Sequence, residues 1–503
     1  MKKLVTQSVL SLLLLALCVP KTWAQAPSDQ NAGGAPPAAS GLDTTTQMSE
    51  NPPLSGLDQP SFEPGFGTRS YLAPEVELSE SLDSNNLADF SKSNYTESTR
   101  ALGSLELQKL WKLHPLDVDY VGGVDWYNGA NGRVYQVHSL AVTQRFLWRT
   151  GQLAVRDSFS YLPEGAFGFG SFGGAAAFGA GGLGGQGLGG VSGGIFSNTS
   201  YGAIGNQVSN MAVVDATQYL SPRSSVVITG GYALTDFLST PKTSFCPVSA
   251  NCYFNSQESI GQVAYNRQIT RNDQIALVYA YEQLHFPGTS AGSLNVNLGQ
   301  LEYGHRISGK LDFRVGGGPE WVHLSQPEEQ FQNIPTGLPC LNTGGPLTCV
   351  QVQHGFLTGS AQVSLRYRVS ERTSLSLAYL RYVGSGSGFF GGAKTDTGRL
   401  SINHALGRHW NLLLDTGYAH NSALLGATSP AAGAATSYSD WYFGGAAHRK
   451  LGRHFAFFGS YQYNAFAFSS GGCSITGTNC GASYGRNILL IGLNWMPQPI
   501  RLD

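Results

Sequence analysis

Two patterns in this 503-residue chain have residue types that could do chemistry. The first is GFGSFG, Gly168–Gly173, which fits the GxGxxG spacing of a dinucleotide loop. That loop works only between a strand and a helix whose N-terminus faces the pyrophosphate. Leu153–Tyr161 supplies a strand, but the residues after it are too rich in glycine for a stable helix. GK[ST] is absent as well, so neither dinucleotide nor P-loop chemistry is expected, and no cofactor is implied. The second pattern is a set of 11 histidines without an HExxH. His138, His305, His404 and His454 fall in different predicted hairpins, so no local metal site or catalytic set is expected, and the chain does not read as an enzyme.

Cysteines carry a clearer message. Besides Cys18 there are six, in close pairs: Cys246/Cys252, Cys340/Cys349 and Cys473/Cys480. Each pair lies within one long segment between strands. The spacings contain no CxxC and do not fit zinc. An even set in an oxidising compartment reads as local disulfides.

The compartment follows from the N-terminus. Met1-Lys2-Lys3, the apolar run Val9–Val19 and the small residues at Ala24 form a secretory signal peptide, with cleavage expected after Ala24. Leu17 is too large to make Cys18 a lipidation site. Residues 25–68, rich in Pro, Ala and Gly, are expected to be a disordered periplasmic leader. Beyond the signal no apolar run reaches about 18 residues.

Charge and composition narrow the class further. Net charge is −1 and the pI about 6.8, which excludes a polyanion such as nucleic acid as partner. Charged residues are 13%, glycines number 65 and mean hydropathy is −0.12. Apolar residues must therefore be spread along the chain rather than massed. They alternate. In AQVSLRYRV, Ala361, Val363, Leu365, Tyr367 and Val369 share one face, opposite Gln362, Ser364, Arg366 and Arg368. Period two means a strand with one dry and one wet face. The same alternation gives strands at 71–83, 99–112, 115–127, 133–148, 151–161, 207–220, 224–238, 257–270 and 273–286. It continues at 293–307, 310–324, 353–370, 372–386, 396–407, 409–421, 437–449, 453–466 and 484–496. The segment 133–148 is less regular and is expected to hold a bulge.

Short polar turns such as Ser221–Ser224, Thr270–Asp273 and Ser370–Thr373 alternate with long connections at about 239–256, 325–352, 387–395, 422–436 and 467–483. That asymmetry predicts an all-β transmembrane antiparallel barrel of about 18 strands, with 16 as the alternative, over residues 69–503. Long loops would be extracellular, and short turns and both termini periplasmic. Tryptophan fits two membrane girdles: Trp111, Trp148, Trp410 and Trp495 at one end, Trp126, Trp321 and Trp441 at the other. By parity Arg156, Asp215, Asp312, Arg314, Arg366, Arg368 and Asp415 line the lumen. Such a barrel is too wide for its own side chains to fill. The arginines would attract anions and the aspartates balance them, in passive diffusion of small hydrophilic solutes.

Glycine-rich residues 165–194 fall in the third long loop. Phe167, Phe169, Phe172 and Phe178 would anchor that loop across the mouth as a gate. Outer-membrane barrel proteases and phospholipases carry Ser/His or Asp/His sets near the rim, and no local signature of one is present.

The opening of the barrel resembles a known group. YLAPEVELSESLDSN, Tyr71–Asn85, followed by STRALGSLELQKLWKLHPLDVDYVGG, Ser98–Gly123, is similar to the start of the porin 2 group of outer-membrane porins, found also in exopolysaccharide operons. YGRNILLIGLNWM, Tyr484–Met496, is similar to the C-terminal assembly signal of outer-membrane barrels, although Pro497–Asp503 extends past it. The resemblance implies the outer membrane of a Gram-negative bacterium, its lipid as surroundings and the barrel-assembly machinery as partner. It leaves open a supporting role in exopolysaccharide export, or a non-conducting adhesive barrel, and fits a monomer or a trimer.

Overall fold

A computed structural model describes residues 53–55, 70–85, 95–111, 113–128, 134–164, 204–239, 253–287, 292–331, 334–339, 348–424, 435–469 and 482–502. Twenty strands form one sheet. They begin with β1 (Tyr71–Asp83), β2 (Thr96–Lys109), β3 (Leu116–Asn128), β4 (Val134–Trp148), β5 (Gly151–Glu164), β6 (Ile204–Ser221) and β7 (Ser224–Ser239). Next come β8 (Ser256–Gln268), β9 (Asp273–His285), β10 (Ser293–Ser308), β11 (Leu311–Phe331), β12 (Ile334–Pro339), β13 (Thr348–Ser370) and β14 (Thr373–Gly384). The last are β15 (Ala393–Leu406), β16 (Trp410–Ala423), β17 (Ser437–Lys450), β18 (Phe455–Phe468), β19 (Ser483–Trp495) and β20 (Ile500–Arg501).

From β1 to β11 each strand pairs antiparallel with the next; β11 pairs with β13, and the ladder continues to β19. β19 then pairs with β1, from Trp495 opposite Val76 to Ile488 opposite Asp83. The sheet is closed. Setting aside β12 and β20, which lie on the edges of β11 and β1, eighteen strands make the wall. Closure leaves no unpaired edge, which is what a spanning sheet needs where no water can satisfy its amides. The shortest wall strand has 12 residues, more than the roughly 9–11 that cross a bilayer.

The pleat sorts side chains by polarity. Along β9, Leu277, Tyr279 and Tyr281 point out and are exposed, while Ala276, Val278, Ala280 and Glu282 point in and are buried. Ile228, Val263, Leu301, Leu357 and Leu489 extend the exposed apolar band around the barrel. Six of the tryptophans, Trp111, Trp126, Trp148, Trp321, Trp441 and Trp495, are exposed on this face. Trp410 is half-buried, with the Arg449 guanidinium 5.2 Å from its ring centroid.

Three of the short turns share one device. Ser221, Ser308 and Ser370 each accept a hydrogen bond from the backbone amide two residues on, at 3.3, 3.2 and 3.2 Å. A register shift precedes each of them, between Tyr219 and Ser221, Arg306 and Ser308, and Arg368 and Ser370. The extra residue in each case, Leu220, Ile307 or Val369, is an exposed apolar side chain. The bulge thus keeps a greasy residue outward where the chain must turn.

Strand ends agree with the sequence reading to within three residues, except at β11 and β13. That hairpin runs on to Gln330 opposite Thr348, through the stretch expected to be loop. Alternation marks only the half-dry part of a strand, and backbone pairing continues past it. The bulge expected in β4 is absent: its pairing with β3 and β5 is unshifted. Val137 and Ala141 simply point inward beside Ser139 and Thr143, which breaks the polarity pattern without breaking the pleat. Within the leader expected to be disordered, Leu54 and Ser55 instead form a turn and are buried.

Candidate functional site

The site that this wall can build is its interior. All seven charged residues expected in the lumen lie on the inner face. Arg156 on β5 reaches Asp215 on β6 at 3.5 Å. Asp312 lies 3.7 Å from Arg314 on the same strand and directly opposite Arg366 of β13. Arg368 is the next inward residue along β13, so these four form one group toward the short turns. Asp415 on β16 stands apart from them and is held by Arg399, whose Nε and Nη2 approach its carboxylate at 3.1 and 2.6 Å.

Sequence parity missed several inward groups. Arg100 sits directly across from Asp125, with 3.0 Å between Nη2 and Oδ2. Arg486 on β19 binds Asp83 on β1, its Nε 2.8 Å from Oδ2, and so ties the closing seam. Glu258, Glu282, Glu302 and Glu320 are buried on the inner face of β8–β11. Among the described residues, both carboxylate oxygens of Glu302 lack a hydrogen-bond partner. Glu258, Glu282 and Glu302 lie on strands with regular alternation, so extending the parity count to those strands would have found them.

Part of the inner face is buried rather than open to water. Arg156, Asp215, Gln300, Glu302, Arg486 and Asn494 are each 3% exposed or less. At the long-loop end the wall itself turns inward. After Arg381, β14 parts from β13 while staying paired to β15, and Val383 turns in against Val322, Leu324 and Leu294. GSGSGFFGG, residues 384–392, then folds into the barrel. Gly386, Gly388 and Gly392 have φ of 69°, 80° and 107°, a region that side chains resist. The loop is pinned by the Phe254 amide, which donates to the Gly388 carbonyl at 2.8 Å, and by the Leu424 amide on Gly392 at 3.2 Å.

Phe389 is the keystone of this inward loop. It is wholly buried, with its ring centroid 5.3 Å from Tyr253, 5.0 Å from Tyr438, 5.6 Å from Phe466 and 5.4 Å from Phe468. Tyr253 leads into β8, its ring centroid 4.9 Å from that of Phe237 of β7, while Tyr438 and the two phenylalanines belong to β17 and β18. Those groups sit on opposite sides of the ring of strands. An aromatic bridge therefore crosses the mouth.

The remaining sequence candidates are spread out. His305 meets Asp273 at 2.7 Å, His138 meets Tyr120 at 3.0 Å, His404 meets Thr373 at 2.8 Å, and His454 lies 3.3 Å from the Met496 carbonyl. Among the described residues no group of His, Cys, Asp and Glu could hold a metal ion. No helix there is long and apolar enough to cross a membrane. The glycine-rich loop with Phe167, Phe169, Phe172 and Phe178 lies outside the described residues. So do Cys246, Cys252, Cys340, Cys473 and Cys480, and of Cys349 only the backbone is described, opposite Glu329. With a closed ladder, an apolar outside and a charged inside all present, one architecture remains.

The fold is that of a closed, 18-stranded transmembrane β-barrel.

No family model and no curated protein matches the sequence. Among solved structures it is similar to the open form of the ferric-catecholate import receptor Fiu of E. coli K12, with 9% identity over 86% of this chain and 82% of that one, at a TM-score of 0.42. Pseudomonas aeruginosa OpdK with vanillate has 8% identity over 85% and 99% of the two chains, at 0.38. OpdL of the same organism has 9% over 85% and 99%, at 0.36. Likeness at this level bears on neither substrate nor mechanism, and the barrel's own wall has to supply both.

Proposed function

We propose that this barrel is an outer-membrane channel for small hydrophilic solutes, constricted rather than wide. The observation that carries the reading is a closed 18-stranded wall with an inner face set with ionic pairs, Arg100–Asp125, Arg156–Asp215 and Arg399–Asp415. Fixed charges of both signs suit an ion- and solute-conducting path. A barrel that only anchored loops would be more stable with an apolar filling. Long loops face the medium in this reading, both termini face the periplasm, and the paired cysteines form disulfides in the loops.

One observation favours a second reading. The burial of the inner wall and the aromatic bridge fit a barrel that holds itself shut and serves as a surface scaffold. Planar-bilayer recording of the purified protein separates the two. Steady ion-conducting steps support the channel. A silent barrel with intact β circular dichroism overturns it.

A further inference from the structure

We propose that Leu54–Ser55 docks in a built seat on the inner face of β8–β10 and plugs the lumen there. The effect on conduction rests on the channel reading above; the docking does not.

The seat has a polar and an apolar half. Asn266 of β8 spends both ends of its amide on Ser55. Its Oδ1 accepts the Ser55 backbone N–H at 2.9 Å, and its Nδ2 donates to Ser55 Oγ at 2.7 Å. Gln262, two places back on the same face, donates to the Ser55 carbonyl at 3.2 Å. Both polar backbone groups of one leader residue are thus satisfied by the wall, which an accidental contact seldom achieves.

Leu54 fills the other half. It is 4% exposed and belongs to a buried apolar cluster with Ala264 of β8 and Ala276 of β9. Alanines at inward positions of neighbouring strands leave a hollow one leucine deep. Gly304 completes it: a Cβ at that position would stand 2.8 Å from Leu54 Cδ1. Inward apolar residues are costly in a hydrated lumen, and nothing in solute passage calls for them. As a seat for Leu54 they have a purpose. Asn266 is near the end of β8 and Ala276 near the start of β9, so the seat lies toward the short turns, at the end where β1 begins. Roughly 15 residues separate Ser55 from Ser70 and span up to about 50 Å, ample to reach it.

The test uses the full-length protein in native outer membranes. In the double variant Ser55→Cys/Asn266→Cys, mild oxidation should give a 55–266 disulfide, found by mass spectrometry of the digested barrel. Failure to find it in a folded barrel overturns the docking. Leu54→Asp, which leaves every strand untouched, should reduce the docked population at least about tenfold, because it replaces an apolar anchor with a buried charge. Conductance should then rise above wild type, and reduction of the locked double variant should raise it too. A crosslink with conductance unchanged in Leu54→Asp overturns the plugging role. A crosslink with no conductance in any variant supports the docking and removes the channel reading instead.

Discussion

Phe389→Ala offers the sharpest test of how the mouth is held. The side chain is wholly buried among Tyr253, Tyr438, Phe466 and Phe468. Truncating a buried phenylalanine to alanine costs about 3–5 kcal/mol. Phe389 belongs to a loop and makes no strand-to-strand pair, so the loss falls on the loop's inward state and leaves the barrel as stable as before. At about 1.4 kcal/mol per tenfold, the open population rises by roughly two to four orders of magnitude. Two assays read it. Single-channel conductance should increase, and chymotrypsin should cleave at Phe390 far faster, while the heat needed to unfold the barrel on a gel stays the same. If cleavage and conductance both match wild type, the bridge is not what holds the loop in, and the reasoning fails.

Other perturbations address other parts of the wall. Arg486→Gln leaves Asp83 buried without its partner, which should cost about 3–5 kcal/mol and lower the urea midpoint of the reconstituted barrel, with Asp83→Asn in the same chain recovering part; an unchanged midpoint would refute the seam's dependence on this pair. Leu301→Arg, mid-strand on the exposed face, should destabilise by about 2–4 kcal/mol, against about 0–1 for Ile307→Arg near the strand end, and equal effects by lipid refolding titration would argue against a bilayer around this face. Arg368→Gln should raise the K⁺/Cl⁻ permeability ratio measured by reversal potential in a salt gradient; an unchanged ratio puts the Arg366–Arg368 group off the conduction path. Deleting residues 165–194 should raise conductance where that loop is a second restriction, and the single-channel trace decides.

The barrel was legible because its signal repeats. Ala361–Val369 shows the alternation that every wall strand shows in some degree, and serine before three of the short turns marks where it breaks. What stayed hidden depends on strands remote in sequence. Whether Asp415 chooses Arg399 is a matter of register, which a diagonal across two strands decides. The sequence points to a Gly- and Phe-rich gate at 165–194, which lies outside the described residues. The same chemistry, in the far shorter 384–392, crosses the mouth, and its anchors on β8, β17 and β18 meet only once the ring has closed. Composition reads the leader as disordered, since one leucine and one serine cannot announce a seat made of Asn266, Ala276 and Gly304.

The contact between Asp83 and Arg486 joins residues 403 positions apart. Loop-closure entropy grows only with the logarithm of length, about 0.6 kcal/mol per doubling. Sealing the whole cylinder therefore costs the chain only about 2–3 kcal/mol more than closing a loop of a few tens of residues. The eight opposed residue pairs of β1 and β19 can offset that readily once their neighbours are in place. Entropy alone is thus no obstacle to sealing. The delay is one of order, because β1 must wait for the last strand to be made. Until then its free edge is the part of the chain most exposed to a wrong partner.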